Sequence, residues 1–261
     1  MTTVLTLIDG LRPDALLATD APHINGMRQH GAWTLQAQSV LPSITLVCHM
    51  SIFHAVPPTR HGIMQNLYQP LARPLPGLFE QVQQAGLRSG FFCNWELLRD
   101  IGRPGSLHYS HFHANSHDFI HGDRKLMQRA VRYVNVEKPD FLFLYLGSLD
   151  EVGHAYGWMS PEYLAQVSLV DGVVGEMLAG LPPHSTVLLQ SDHGGHDRTH
   201  GTNMPEDMDI PWIITGPGIR QNHEISQPVS LLNSAPTLTA VLHIPPAPQW
   251  DGRCVEEIFI S

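Results

Sequence analysis

The chain has 261 residues, 43% of them hydrophobic, and a formal net charge of −9. That is enough apolar material for one sizeable core, yet no apolar run approaches the roughly 18 residues that a membrane span requires. The acidic balance argues against a protein that tracks a nucleic-acid backbone or duplex, which would carry a basic face.

Val4 to Ile8 is a short, β-branched apolar run ended by Asp-Gly and predicts a buried strand. Residues 23–31 predict a short helix and 33–41 an extended segment. Pro42-Ser43 opens a turn, and 46–56 then predict a helix stopped by Pro57-Pro58. A helix over 76–85 ends at Gly86, and a strand follows over 90–94. Leu126, Ala130, Val131 and Val134 give an amphipathic helix over 123–137. Phe141 to Leu146 is continuously apolar, the pattern of a central parallel strand covered on both faces. A helix over about 161–179, strands at 186–189 and 212–215, and a helix over 231–242 complete the reading. Strands alternating with helices predict an α/β fold, a mostly parallel central sheet with helices on both faces. No linker divides the chain, so residues 1–261 are read as one domain, with a small lid-like segment at about 95–122.

Six side chains of metal-binding type stand where apolar runs end: Asp9, Asp150, His154, Asp192, His193 and His200. Carboxylate and imidazole without cysteine suit zinc, and manganese or iron tolerate the same donors. Six donors exceed one tetrahedral ion and match two divalent ions. Asp9, Asp150 and Asp192 each follow a predicted strand, and open α/β sheets build their sites beyond the carboxyl ends of strands. Asp150 and His154 are expected within a single loop. Asp192 and His193 are adjacent, so a sharp bend at Gly194-Gly195 is needed for both to reach one ion. Thr45 precedes a predicted helix, whose N-terminus favours an anion, and from spacing alone it is either a helix cap or a nucleophile.

The ordered set LIDGLRPD, PSIT…PPTRHGI, LDEVGH, SDHGGH and THG resembles the alkaline phosphatase superfamily, on the side of its nucleotide pyrophosphatase/phosphodiesterase branch. The resemblance runs from Asp9 to the tail NSAPTLTAVLHIPP…WDGR. It implies an alkaline-phosphatase-like catalytic core and a phosphodiesterase that works through a phosphothreonine. Asp150, His154 and His200 match the ligands of one zinc. Asp9, Asp192 and His193 match those of the second, with the Thr45 oxygen completing it. Thr45 matches the nucleophile, and Asn66 matches the asparagine that hydrogen-bonds a non-bridging phosphoryl oxygen. The implied partner is a small phosphate ester, or a phosphonate if the chain is similar instead to phosphonoacetate hydrolase. No C-x-P-S-R stretch is present, so the sulfatase nucleophile is missing. Leu46-Val47-Cys48-His49 and Ser148-Leu149 depart from the family's usual flanking residues and remove no matched ligand.

Three cysteines, an odd number with no C-x-x-C pair, and an N-terminus without a basic n-region lead to the expectation of a cytoplasmic protein. Of the 17 histidines, His108, His111, His113, His117 and His121 fall together, read as a polar loop or a short lid near the site entrance. His196 is read as a partner behind the ligands, and His49 and His61 as packing or turn residues.

Overall fold

The computed structural model describes residues 1–70, 75–103, 105–114 and 117–260. Its strands are β1 (Thr3–Ile8), β2 (Gly31–Gln38), β3 (Ser89–Cys93), β4 (Tyr109–Phe112), β5 (Phe141–Leu146), β6 (Thr186–Gln190), β7 (Asp209–Thr215) and β8 (His223–Glu224). They form one eight-stranded sheet in the order β4-β3-β5-β1-β6-β7-β2-β8. From β4 to β6 the neighbours are parallel, whereas β7 runs antiparallel to both β6 and β2. The helices are α1 (Pro13–Ala18), α2 (Pro22–Gln29), α3 (Thr45–His54), α4 (Pro58–His61), α5 (Leu78–Gln84), α6 (Gly122–Glu137), α7 (Ser148–Tyr156), α8 (Pro161–Gly180), α9 (Pro205–Met208) and α10 (Ser234–Val241). Among the described residues no helix is long and apolar enough to cross a membrane.

Every residue of β5 is buried, because alternate side chains enter two separate cores. Phe141, Phe143 and Tyr145 face a core shared with α3, α5 and α10. Leu142, Leu144 and Leu146 face the other, shared with α1, α2, α6, α7 and α8. The expected α/β sheet with helices on both faces is therefore the architecture observed. On the first face Phe53 of α3 stacks on Phe79 at 4.9 Å and meets Phe143 edge-on at 4.9 Å. Each such ring contributes roughly 1.5–3 kcal/mol by burial. This packing fixes the axis of α3 and so the position of Thr45 at its start.

Two expectations are corrected. Asp150 and His154 lie on α7, not in a loop, four residues apart on one helical face. Residues 109–112 of the histidine-rich segment form the edge strand β4 paired to β3, not a loop; residues 104, 115 and 116 of the expected lid lie outside the described residues. The short α1 and β8 were not expected either.

One aromatic ring joins the loops that carry the ligand-type residues. Trp158 donates from Nε1 to the Gly10 carbonyl at 3.0 Å, and Tyr163 Oη donates to the same carbonyl at 2.7 Å. Gly10, at φ +70°, holds the turn after β1 against Asp150. Gly153 of α7 and Gly195 press on the Trp158 ring from two elements; a Cβ at either would stand 2.6 or 2.3 Å from ring carbons. Gly153→Ala is thus expected to overpack this junction and lower stability by about 1–3 kcal/mol. A urea denaturation midpoint equal to wild type would show that the ring moves aside freely.

Candidate active site

Strands β5, β1 and β6 are neighbours in the sheet, so the segments following them converge. Asp9 follows β1, α7 with Asp150 and His154 follows β5, and Asp192-His193 follow β6. The loop after His193 returns His200 to the same place. His193 Nε2 stands 3.2 Å from Asp9 Oδ1, 3.4 Å from Asp192 Oδ2 and 3.2 Å from Thr45 Oγ1. His154 Nε2 is 3.5 Å from Asp150 Oδ2, and His200 Nε2 is 3.8 Å from Asp150 Oδ1. All six ligand-type residues and Thr45 therefore meet.

Donor atoms of Asp150, His154 and His200 lie within 4.8 Å of one another, and so do those of Asp9, Asp150 and His193. Asp150 belongs to both groups. Asp192, which the sequence places in the second set, reaches that set through His193 and sits slightly behind it.

Three backbone carbonyls set the imidazole tautomers. Nδ1 of His154, His193 and His200 donates to the carbonyls of Arg198 (3.0 Å), Gly194 (2.8 Å) and Ser43 (2.8 Å). Each Nε2 lone pair is then left facing the carboxylates, the arrangement found behind metal-ligating histidines.

The carboxylates themselves are under-satisfied. Asp9 Oδ1, Asp150 Oδ1 and Asp192 Oδ2 are buried without a hydrogen-bond partner. Burial first, and neighbouring carboxylates second, push the Asp9 and Asp150 carboxyls well above the usual carboxylate range. Burial likewise lifts Asp192 to about 8. Burial, then His193, pushes His200 down to about 2. Buried like charges with unpartnered oxygens are costly unless a cation sits among them. The donor set fits divalent metal: oxygen and imidazole nitrogen in two adjoining groups, with tautomers already set.

Thr45 is the first residue of α3 and is 3% exposed. Asn66 docks on the same helix end, its Oδ1 accepting the Leu46 N–H at 3.0 Å. Thr45 and Asn66 line a cavity of about 160 Å³ together with Asp150, His154, His200 and Trp95. Glu151, at the rim of that cavity, pairs with His117 at 3.2 Å.

Sequence reasoning missed three residues. Tyr145 donates its hydroxyl to Asp9 Oδ2; its place in the apolar β5 pattern hid it, although a lone hydroxyl at a strand's end was a usable signal. Trp158 was missed for want of any local pattern. His49, read as a packing residue, is fully buried and edge-on to Tyr145. It also lies beneath the site, with Nδ1 donating to the Thr45 carbonyl at 2.7 Å. Its pKa is pushed down to about 3 by burial, so it acts as a neutral donor. His61 packs on Ser51 at 3.0 Å, as a packing residue should. His196 pairs with Asp207 at 2.7 Å and not with a ligand; it braces the loop that carries His200.

The chain is similar to known proteins in sequence and in fold. The human ectonucleotide pyrophosphatase/phosphodiesterase family member 1 is 27% identical over 223 residues, which is 74% of this chain and 23% of that protein. An uncharacterised pyrophosphatase/phosphodiesterase of Schizosaccharomyces pombe is 25% identical over 217 residues, 74% of this chain and 44% of that protein. The chain thus spans under half the length of these curated relatives. Among solved structures, murine ectonucleotide pyrophosphatase / phosphodiesterase 5, an inactive form in complex with AMP, superposes with a TM-score of 0.82 at 15% identity, covering 100% of both chains. A family model described as type I phosphodiesterase / nucleotide pyrophosphatase matches residues 3–80 and 78–209. With that match over most of its length, and a site assembled from the same segments, the chain belongs to the type I phosphodiesterase / nucleotide pyrophosphatase family.

Proposed function

We propose that this chain is a two-metal hydrolase of small phosphodiesters of the nucleotide pyrophosphatase type, with zinc as the resident ion and Thr45 as nucleophile. The observation that carries the reading is the pair of donor groups sharing Asp150, set against a threonine hydroxyl on a helix N-terminus. Asp150, His154 and His200 would hold one ion; Asp9, Asp192 and His193, with Thr45 Oγ1, would hold the other. Zinc, when bound, supplies Lewis acidity that favours the Thr45 alkoxide and offsets phosphoryl charge.

The chain's own residues do the rest. The start of α3 offers a positive dipole end to the phosphate. Asn66, anchored by the Leu46 N–H through its Oδ1, keeps its amide donors for a phosphoryl oxygen. Thr45 Oγ1 gives up its proton to solvent and forms a new bond to phosphorus as the ester bond opposite breaks, and the leaving oxygen takes a proton from solvent to depart as the alcohol. Water then cleaves the phosphothreonine and restores the hydroxyl. Trp95 and Glu151 line the same cavity as Thr45 and Asn66. AMP in the murine relative supports a nucleoside phosphate as the transferred group.

Metal analysis coupled to an ester panel tests the reading. Wild-type protein is expected to hold two ions per chain and to hydrolyse bis-p-nitrophenyl phosphate faster than phosphonates or sulfates. His154→Ala should keep one ion. Asp150→Ala, which removes a carboxylate within reach of both groups, should lose both. Fewer than one ion per chain, with no hydrolysis after zinc or manganese is added, would sink the proposal.

A further inference from the structure

The β4 edge of the sheet carries a second cavity, of about 800 Å³, that shares no lining residue with the metal-side cavity. Its floor is aromatic. Gly90 of β3 has no side chain, and the Tyr133 ring of α6 occupies that space; a Cβ at Gly90 would stand 2.7 Å from the ring. Tyr133 stacks on Tyr109 of β4, centroids 4.6 Å apart at 22°. Phe92 packs under both, at 5.4 and 5.5 Å. Tyr109 remains 41% exposed, so the platform is open to solvent.

The rim is cationic. Arg129 and Arg132 line the cavity from α6. Arg88 at one end is paired with Glu137 at 3.3 Å, whereas among the described residues neither Arg129 nor Arg132 has a carboxylate partner. In a chain of net charge −9, two unpaired arginines beside one aromatic platform are a local reversal of sign.

We propose that this cavity binds a nucleoside monophosphate, with the base on the Tyr109–Tyr133 platform and the phosphate on Arg129 and Arg132. A planar base stacks on aromatic rings whatever its identity. A guanidinium fork matches phosphate geometry. The overall acidity opposes a longer polyanion, which favours a single nucleotide over a strand. The proposal does not rest on the catalytic reading.

Calorimetric titration of the metal-loaded Thr45→Ala protein with AMP is the test. A binding event is expected that survives chelation of the metals and disappears in the Arg129→Glu/Arg132→Glu variant, whose thermal melting and, on a wild-type Thr45 background, diester turnover stay within about twofold of the parent. Tyr109→Ala should weaken the same event about fivefold or more, the scale of one lost stacking contact. An unchanged isotherm in the double variant overturns the proposal. So does inorganic phosphate that displaces AMP at equal concentration, or an oligothymidylate that binds more tightly than AMP. Failure of the catalytic reading would remove only the binding that chelation abolishes.

Discussion

Thr45→Ala protein is expected to keep its metal ions and to lose diester turnover by roughly a thousandfold or more, the scale seen when a covalent nucleophile is removed. Thr45 Oγ1 is the hydroxyl that stands 3.2 Å from His193 Nε2. The six Asp and His donors remain after the substitution, and an ion that loses one oxygen retains three protein ligands. Asn66 and the start of α3 are untouched, so KM should change little while kcat falls. Thr45→Ser should recover part of the rate, since it restores the oxygen without the methyl group. Acid-quenched reactions with radiolabelled substrate should trap label on the wild-type chain and none on Thr45→Ala. Wild-type turnover of bis-p-nitrophenyl phosphate by Thr45→Ala would overturn the nucleophile assignment.

The second large effect is an inversion of the pH–stability profile by metal. Asp9, Asp150 and Asp192 have folded pKa values raised above the ordinary carboxylate value. The native state then binds more protons than the unfolded chain, so stability falls as pH rises through the folded value, about 8 for Asp192. His49 and His200 are shifted the other way, to about 3 and about 2. Each favours the folded state above the free imidazole value and withdraws that support as pH drops below it. Above the free histidine value, about 6.5, the imidazole contribution is constant and only the carboxyl trend remains. Chelated protein should therefore lose stability as pH rises above about 6.5. It should weaken toward about pH 8 by up to roughly 1.4 kcal/mol per pH unit for each carboxyl still protonated. Metal reverses the upper limb, because ions bind the deprotonated carboxylates and their binding releases protons. Zinc at 100–1,000 times its dissociation constant should add about 3–4 kcal/mol, most at the alkaline end. Thermal melts with chelator and with zinc across this range check both limbs. A flat chelated profile above about pH 6.5 would show that burial does not hold the three carboxyls above their ordinary value in the folded chain.

Some of this was legible in the chain because it depends on a few adjacent residues. Val4–Ile8 and Phe141–Leu146 are buried on both faces, and continuous apolar runs report that directly. Asp9 directly follows β1 and Asp192-His193 come just after β6, so their place in the crevice follows from where apolar runs stop. Helix α7 was less visible. Gly147 starts it and Gly153 interrupts it, and it is held by packing on Trp158 and α8 more than by its own propensity. Strand β4 was masked by histidines, since an edge strand pairs on one side only and tolerates polar side chains.

The sequence by itself therefore determined the α/β class, and it nominated the six ligand-type residues and, through family likeness, Thr45 as the proposed nucleophile. Family likeness divided them three and three, and tertiary structure alone placed Asp150 within reach of both groups. Asp150 became common to both donor groups because α7 lays its first turn beside the turn after β1. The imidazole tautomers were set by carbonyls of Ser43, Gly194 and Arg198, two of them more than 40 residues from the ring they bind. The aromatic platform at the sheet edge exists because β4 pairs with β3 and a ring from α6 fills the gap over Gly90. Burial patterns are written locally, within a few residues of one element. Convergence depends on which strands pair and how closely helices approach, and those distances are set by contacts between residues far apart in the chain.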